Sequence, residues 1–350
     1  MISSKIFAYI KDFLNKKIMK KYLIVIVPIA VLILIINLFI FSKVKNDGIG
    51  DKKYHEAFNK YYKIFAIDIP DELDFCNEPV PVQRYDVRES FDREILINTY
   101  WQSQTLMFFK RANRWFPAIE KILKKYNLPD DLKYISIIES GLMNVKSPAG
   151  AEGFWQFMKP TAKSYGLEIN DEVDERFNLE KSTEAVCKYF QDAYKIYKNW
   201  TLVAASYNVG MGVLSKELQN QKVSSYYDLF LNDETGRYVY RILAVKLLLN
   251  NPRSYGFYFR KKDLYPVIPT YSVNIDSTVD DLALFSKHFN ITYKLLKEFN
   301  PWIIGYTLSN KNKKSYTFII PKIDSLNYNV LLKDTASEVL LFDDSIKNAK

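Results

Sequence analysis

A chain of 350 residues that is 48% hydrophobic and 15% aromatic can hold one large or two modest domains plus appendages. Its net charge of +9 carries no nucleic-acid signal. Six lysines against Asp12 in residues 1–21 supply five of those charges, and no basic run with interleaved aromatics stands out elsewhere. The two histidines, His55 and His288, lie far apart and form no HExxH pattern, and Cys76 and Cys187 form no metal-ligand cluster, so no metal or cofactor is expected. The cysteines leave open a disulfide or two buried free thiols.

Tyr22 to Phe41 is a nearly unbroken apolar run without a charged residue, interrupted only by Pro28 and Asn37. As a helix it spans about 30 Å, the thickness of a bilayer core. The lysines before it are denser than Lys43 and Lys45 after it, which keeps the N-terminus in the cytoplasm. Ser42-Lys-Val-Lys-Asn offers no small-x-small cleavage site, and no cysteine follows for a lipid. Residues 1–21 therefore read as a cytoplasmic basic tail and 22–41 as an uncleaved transmembrane anchor, with a cleaved signal peptide as the rival reading.

Residues 42–68 read as a tether ending in a short helical piece, and Ile69 to Pro81 as Pro-broken, extended chain. From Val87 to Ile122 the apolar spacing is helical, with Phe91 and Ile95 four apart and Ile97 and Tyr100 three apart. Pro129-Asp130-Asp131 opens a new helix that puts Leu132, Ile135 and Ile138 on one face, with Glu139 at its end before Gly141. Leu179 to Tyr197, Leu202 to Tyr207 and Thr235 to Leu249 are further helices. The segment 69–257 is thus expected to be one all-helical domain.

The pattern then changes. Pro266 to Ile275 reads as a strand, Thr278 as the cap of a helix through Phe289, and Thr292 as the cap of a second through Phe299. Asn300-Pro301 breaks that helix, and Ser315 to Pro321 reads as a closing strand. The expected unit is β-α-α-β over 268–322, with 323–350 as a tail.

Chemistry concentrates in the helical domain. A carboxyl at a helix C-terminus faces the negative end of the helix dipole, and nearby aromatics would desolvate it. Both effects keep the proton on Glu139, which suits a general acid acting on a glycosidic bond. After it come Gly150 and Gly153, which allow close backbone approach, and then Trp155-Gln156-Phe157-Met158. In this stretch Gln156 could bind an N-acetyl group and Met158 could pack on a sugar ring. Tyr207-Asn208 adds a phenol and an amide at a helix end, and Glu234 sits at a helix start. Taken singly, each also fits an ordinary loop, core, cap or first-turn position.

Together they carry a resemblance. Ile138-Glu-Ser-Gly141, Ser147-Pro-Ala-Gly-Ala-x-Gly-Phe-Trp-Gln-Phe-Met158, Ala205-Ser-Tyr-Asn-Val-Gly210 and Glu234-Thr-x-Arg-Tyr-Val239 stand in the order and spacing of soluble-type lytic murein transglycosylases, glycoside hydrolase family 23. Asn98-Thr-Tyr-Trp-Gln-Ser103, Asp174-Glu-Arg-Phe177 and Glu180-Lys-Ser-Thr-Glu-Ala185 are similar to the membrane-bound D type of that family. The resemblance spans residues 69–257. It implies a mainly α protein with a goose-lysozyme-like helical catalytic domain, its core at about 126–250. It implies Glu139 as the acid/base, and Ser147, Gln156, Met158, Tyr207, Asn208 and Glu234 as substrate-binding residues.

The implied reaction cleaves the β-1,4 bond between MurNAc and GlcNAc in peptidoglycan strands. One carboxyl serves as acid and then base, and the product closes as 1,6-anhydro-MurNAc without water or cofactor. A hydrolytic muramidase and a catalytically silent peptidoglycan-binding scaffold are the alternatives. The β-α-α-β unit resembles a LysM glycan-binding module, with Ile275-Asp-Ser-Thr278 where that family has Gly-Asp-Thr. The implied location is the bacterial inner membrane, single-pass, with the catalytic domain in the periplasm. D-type members are often lipoproteins, and here the anchor reads as a helix.

Overall fold

The computed structural model describes residues 64–333 together with Glu56. The expected basic tail, the 22–41 anchor, most of the tether and residues 334–350 lie outside the described residues. No helix among the described residues is long and apolar enough to cross a membrane.

The expected extended piece folds back on itself. Strands β1 (Asp74–Phe75) and β2 (Glu78–Pro79) pair antiparallel, with Cys76 and Asn77 at the turn at φ 54° and 63°. Asn tolerates this left-handed region better than most residues do. Long-range polar contacts hold the hairpin down. The Cys76 N–H donates to Asp131 at 2.7 Å, and the Lys246 ammonium donates to Asp131 at 2.7 Å and to the Asp74 carbonyl at 2.9 Å. Cys76 and Cys187 are both free and buried.

The stretch expected to be helical from Val87 to Ile122 forms two helices, α1 (Tyr85–Tyr100) and α2 (Gln102–Lys125), separated at Trp101 (φ −86°, ψ 56°). The Thr105 hydroxyl donates to the Asn98 carbonyl across this break, which carries no Gly or Pro signal. A 3₁₀ turn at Asp130–Lys133 then leads into α3 (Tyr134–Ser140), which ends at Gly141 in the left-handed conformation (φ 60°). Two helices follow with the next loops: the short α4 (Lys159–Ser164), and the long α5 (Leu179–Tyr197) capped by the Asn178 side chain.

Helix α6 (Trp200–Val209) is held at its start by the Glu78 carboxylate, which accepts from the N–H groups of Trp200 at 2.5 Å and Thr201 at 3.0 Å. It runs through Asn208 to Gly210, where α7 (Met211–Gln221) begins. Helix α8 (Asp233–Asn250), capped by Asn232, packs on α1, α3 and α6. Tyr238, Val239, Ile242, Leu243 and Val245 of α8 meet Phe91 and Ile95 of α1 and Ile135 and Ile137 of α3 in one apolar core.

The C-terminal unit is β-α-α-β. Strands β3 (Thr270–Ile275) and β4 (Tyr316–Pro321) pair antiparallel, with Thr270 opposite Pro321 and Ile275 opposite Tyr316. Between them lie α9 (Leu282–Lys287) and α10 (Tyr293–Phe299). Thr292 caps α10 as expected. Thr278 does not cap α9. Asp281 does, accepting from the N–H groups of Ala283 and Leu284, because Val279 first pairs with Leu308 and delays the helix. The fully buried Asn300 donates to the carbonyls of Leu296 (2.9 Å) and Ile319 (2.8 Å) and accepts from the Ile319 N–H (2.7 Å). Asn300→Ala strands these backbone groups. It should cost about 3 kcal/mol, read as a lower denaturation midpoint for this unit.

The two cores touch through one segment. Val173, from the α4–α5 connection, is buried in the core of the C-terminal unit beside Trp302, Ile303 and Phe318. The Asp174 N–H donates to the Trp302 carbonyl and the Ile304 N–H to the Glu172 carbonyl, both at 2.8 Å. The β-α-α-β unit is thus packed onto the helical body rather than merely tethered to it.

Candidate active site

Glu139 stands one residue before the end of α3, where Gly141 turns the chain sharply out of the helix. Its neighbour Ser140 donates to the Phe154 carbonyl at 2.7 Å, tying the helix end to the Gly- and aromatic-rich loop. That loop is built from beneath. Trp155 is fully buried and its indole N–H donates to Thr183 at 2.9 Å, while Tyr207 donates to the Trp155 carbonyl at 2.5 Å. Arg176, also buried, pairs with Glu152 at 2.8 Å and Asp174 at 2.6 Å, and donates to the carbonyls of Gly150 and Phe157. A buried charge is tolerated only when it is so fully paired.

The Glu139 carboxyl accepts a hydrogen bond from the buried Tyr238 hydroxyl of α8. Burial raises its pKa from 4.5 to about 7; the Tyr238 bond and Arg241 oppose the rise, and Glu234 adds to it. Desolvation therefore dominates, in the direction a general acid needs. The carboxyl is half-buried and opens onto a cavity of about 510 Å³, whose walls include Glu139, Glu234, Arg241, Trp101, Gln104 and Met143.

Of the residues expected at the site, Glu139 and Glu234 share this cavity. Burial, and after it the nearby Glu139, pushes the Tyr207 phenol well above the ordinary range. Ser147, Gln156, Met158 and Asn208 do not line the cavity. The Ser147 hydroxyl accepts from the Ala151 N–H at 2.9 Å, inside its own turn. Gln156 sits at φ 50° and spends its amide N–H groups on the carbonyls of Val145 and Gly153. Met158 is 45% exposed, and Asn208 is half-buried at the end of α6. Tyr238 and Arg241 were not singled out in the sequence. Their signal is helical spacing, since both follow Glu234 on α8, at steps of four and seven, and so share its face.

Residues 116–230 match the family described as the transglycosylase SLT domain, and residues 271–324 match the soluble lytic transglycosylase C-terminal LysM-like domain. The chain carries an SLT domain followed by a LysM-like domain. Membrane-bound lytic murein transglycosylase D of Escherichia coli K12 is 29% identical over 228 residues, which cover 63% of this chain and 49% of that protein. Its counterpart from E. coli O6:H1 strain CFT073 gives the same figures. The chain thus spans about half the length of the curated relatives it matches.

Among solved structures, the 70 kDa soluble lytic transglycosylase of E. coli is similar at 19% identity, covering 58% of this chain and 40% of that one, with a TM-score of 0.36. An inactive mutant of lytic transglycosylase Slt from Pseudomonas aeruginosa is similar at 20% identity, covering 40% and 24%, with a TM-score of 0.34.

The matched SLT residues hold Glu139, the loop through Met158, Tyr207 and Asn208. They do not include Trp101, Glu234, Tyr238 or Arg241, so α1 and α8 complete the cavity from outside the matched stretch. Helix α1 is pinned to α8 by Glu94, buried and paired with Arg237 at 2.7 Å. Arg237→Ala leaves that buried carboxylate without its main partner and should cost about 3 kcal/mol in a denaturant titration. Tyr238→Phe removes the hydrogen bond that holds the Glu139 pKa down. The alkaline limb of any Glu139-dependent activity should move to higher pH, and a pH–rate profile with an unmoved limb would deny Tyr238 this role.

Proposed function

We propose that the protein is a peptidoglycan lytic transglycosylase. The observation that carries this reading is a carboxyl protonated to about pH 7, half-buried at the mouth of a cavity and fixed by a tyrosine. Glu139 protonates the oxygen that leaves the anomeric carbon of MurNAc. The 2-acetamido oxygen of the same sugar stabilises the cationic centre. Glu139, now a carboxylate, takes the proton of the sugar's own 6-hydroxyl, whose oxygen bonds to the anomeric carbon and closes the 1,6-anhydro ring. Two-carboxylate glycosidases instead keep a second acid for a nucleophile or for water. Ser147, Gln156, Met158, Tyr207, Asn208 and Glu234 are proposed to contact the glycan on either side of the cleaved bond.

The name shared by both curated relatives, membrane-bound lytic murein transglycosylase D, supports the substrate class and the reaction. The apolar run Tyr22 to Phe41 supports a single inner-membrane anchor with the SLT domain in the periplasm, where the enzyme remodels the cell wall. The LysM-like domain is proposed to add a second glycan contact.

The test is digestion of purified peptidoglycan by the full chain in detergent, with the products weighed by mass spectrometry. Ends in 1,6-anhydromuramic acid are expected. Reducing ends, one water heavier, would make the protein a hydrolase. No products from a folded protein that still binds the polymer would make it a scaffold.

A further inference from the structure

We infer that the cavity wall formed by α1, the Trp101 break and the turn after α3 is a saccharide subsite in which a pyranose ring stacks on the Trp101 indole. The ligand class rests on the transglycosylase reading; the site itself rests on geometry. The chain has five tryptophans. Trp155 and Trp302 are buried, Trp115 packs edge-on against Phe154, and Trp200 stacks on Tyr194 with ring centroids 4.0 Å apart. Trp101 is 59% exposed and lines the cavity that holds Glu139. An indole is costly to leave in water, and this one does not owe its position to the core.

Its backbone is fixed on both sides. The Trp101 N–H donates to the Ile97 carbonyl at 2.8 Å, and its own carbonyl accepts from the Thr105 N–H at 3.1 Å. The ring is therefore presented from a set break between two helices, one of which is locked to α8 through Glu94 and Arg237.

The same wall carries two more open apolar side chains, Ile97 (38% exposed) and Met143 (39%). Polar groups stand beside them. Asn98 spends its amide N–H on the Glu94 carbonyl at 2.8 Å, which leaves its side-chain oxygen for a ligand, and Gln104 and Arg241 line the cavity too. A flat apolar platform rimmed by a few amides and a cation matches a pyranose, which offers a C–H face and a rim of hydroxyl and acetamido groups. A buried, dry pocket of the same residues would suit an apolar ligand instead, but this wall is open. Because Trp101 lies outside the matched SLT residues, the subsite is set by α1 and tunes which strand segment sits next to the cleaved bond.

The test is calorimetric titration of the full chain in detergent with a peptide-free GlcNAc-MurNAc tetrasaccharide, in Glu139→Gln protein so that nothing is cleaved. Adding Trp101→Ala should weaken binding about five- to ten-fold, the scale of one lost ring stack. Trp101→Phe should recover part of it. In the active protein, Trp101→Ala should raise KM by a similar factor while kcat stays within about two-fold, a split that loss of fold would not give. Thermal melts check that both variants fold. If wild-type protein cleaves peptidoglycan but Trp101→Ala binds and cleaves like wild type, the subsite is wrong and the activity reading stands. If wild-type protein neither binds the tetrasaccharide nor cleaves the polymer, both fall.

Discussion

Glu139→Gln should lower peptidoglycan cleavage by at least about 10²-fold, the low end of what a positioned general acid contributes, while making the protein more stable at pH 8. The first half follows from the loss of the acidic proton that Glu139 holds at the mouth of the cavity, since glutamine keeps the shape and the Tyr238 contact but has no acidic proton. The second half follows from linkage. The Glu139 pKa rises from 4.5 to about 7 on folding. Between those values the folded protein holds a proton that the unfolded chain has released, so stability falls as pH rises through this window. Above about pH 7 the carboxylate is charged in both states, and its burial costs the folded state about 3 kcal/mol. Below about pH 4.5 the cost vanishes.

Glutamine carries no charge at any pH. The variant should therefore melt higher than wild type at pH 8 and level with it near pH 4.5. Equal melting temperatures across that range would mean that burial does not perturb Glu139. In wild type, activity should fall about ten-fold per pH unit above about 7, as the acid loses its proton. An alkaline limb below pH 5.5 would sink the assignment.

The site was partly legible because its parts are local. Gly141 after an apolar helix announces the turn that ends α3, and Glu139 is placed by that turn. The reason for its raised pKa was legible in direction, although burial outweighs the other causes. The apolar periodicity of α5 and α8 likewise marked these helices to within two residues. What the sequence concealed was carried by contacts between distant residues. The break at Trp101 has no Gly or Pro, and is set by the Thr105 hydroxyl reaching Asn98 and by the packing of α1 on α8. Glu94 is charged at mid-helix, which reads as solvated, yet it is buried against Arg237, 143 residues away.

Two short helices were hidden for other reasons. The expected helix Leu202 to Tyr207 stops short of Gly210, but Gly210 is the pivot between α6 and α7, and Gly212 costs little inside α7. In α4, Pro160 sits in the first turn, where its missing N–H is harmless, so the residue that looks like a breaker is a starter. The roles of Gln156 and Met158 show the opposite limit. Their place in the motif was plain, but the sequence did not reveal that Gln156 braces the loop through Val145 and Gly153.

Gly153→Ala is expected to be the most damaging Gly→Ala change among the described residues, at about 4 kcal/mol and about 10 °C in melting temperature. Gly150 and Gly153 look equivalent in sequence, and both adopt φ near +86° in the structure, at 87° and 85°. Their surroundings differ. A Cβ on Gly150 meets nothing within 4 Å, so Gly150→Ala should cost only the strain of a left-handed alanine, about 1–2 kcal/mol. A Cβ on Gly153 would stand 2.0 Å from the Arg176 carbonyl oxygen and 2.8 Å from its carbonyl carbon. That backbone cannot retreat, because the Arg176 side chain is held by Asp174 and Glu152, and the Asp174 N–H is bonded to Trp302 of the LysM-like domain.

The loop would have to move instead. It would lose the Gly153 N–H bond to Val145 at 2.9 Å and the seat of Gln156, and it would pull Phe154 from Ser140, the residue next to the acid. Cleavage should fall together with stability, and paired melts of Gly150→Ala and Gly153→Ala separate the two causes. Equal losses would mean that backbone conformation alone matters. A clearly larger loss in Gly153→Ala would mean that the close approach to Arg176, beyond the strain common to both glycines, is what locks the loop beside Glu139.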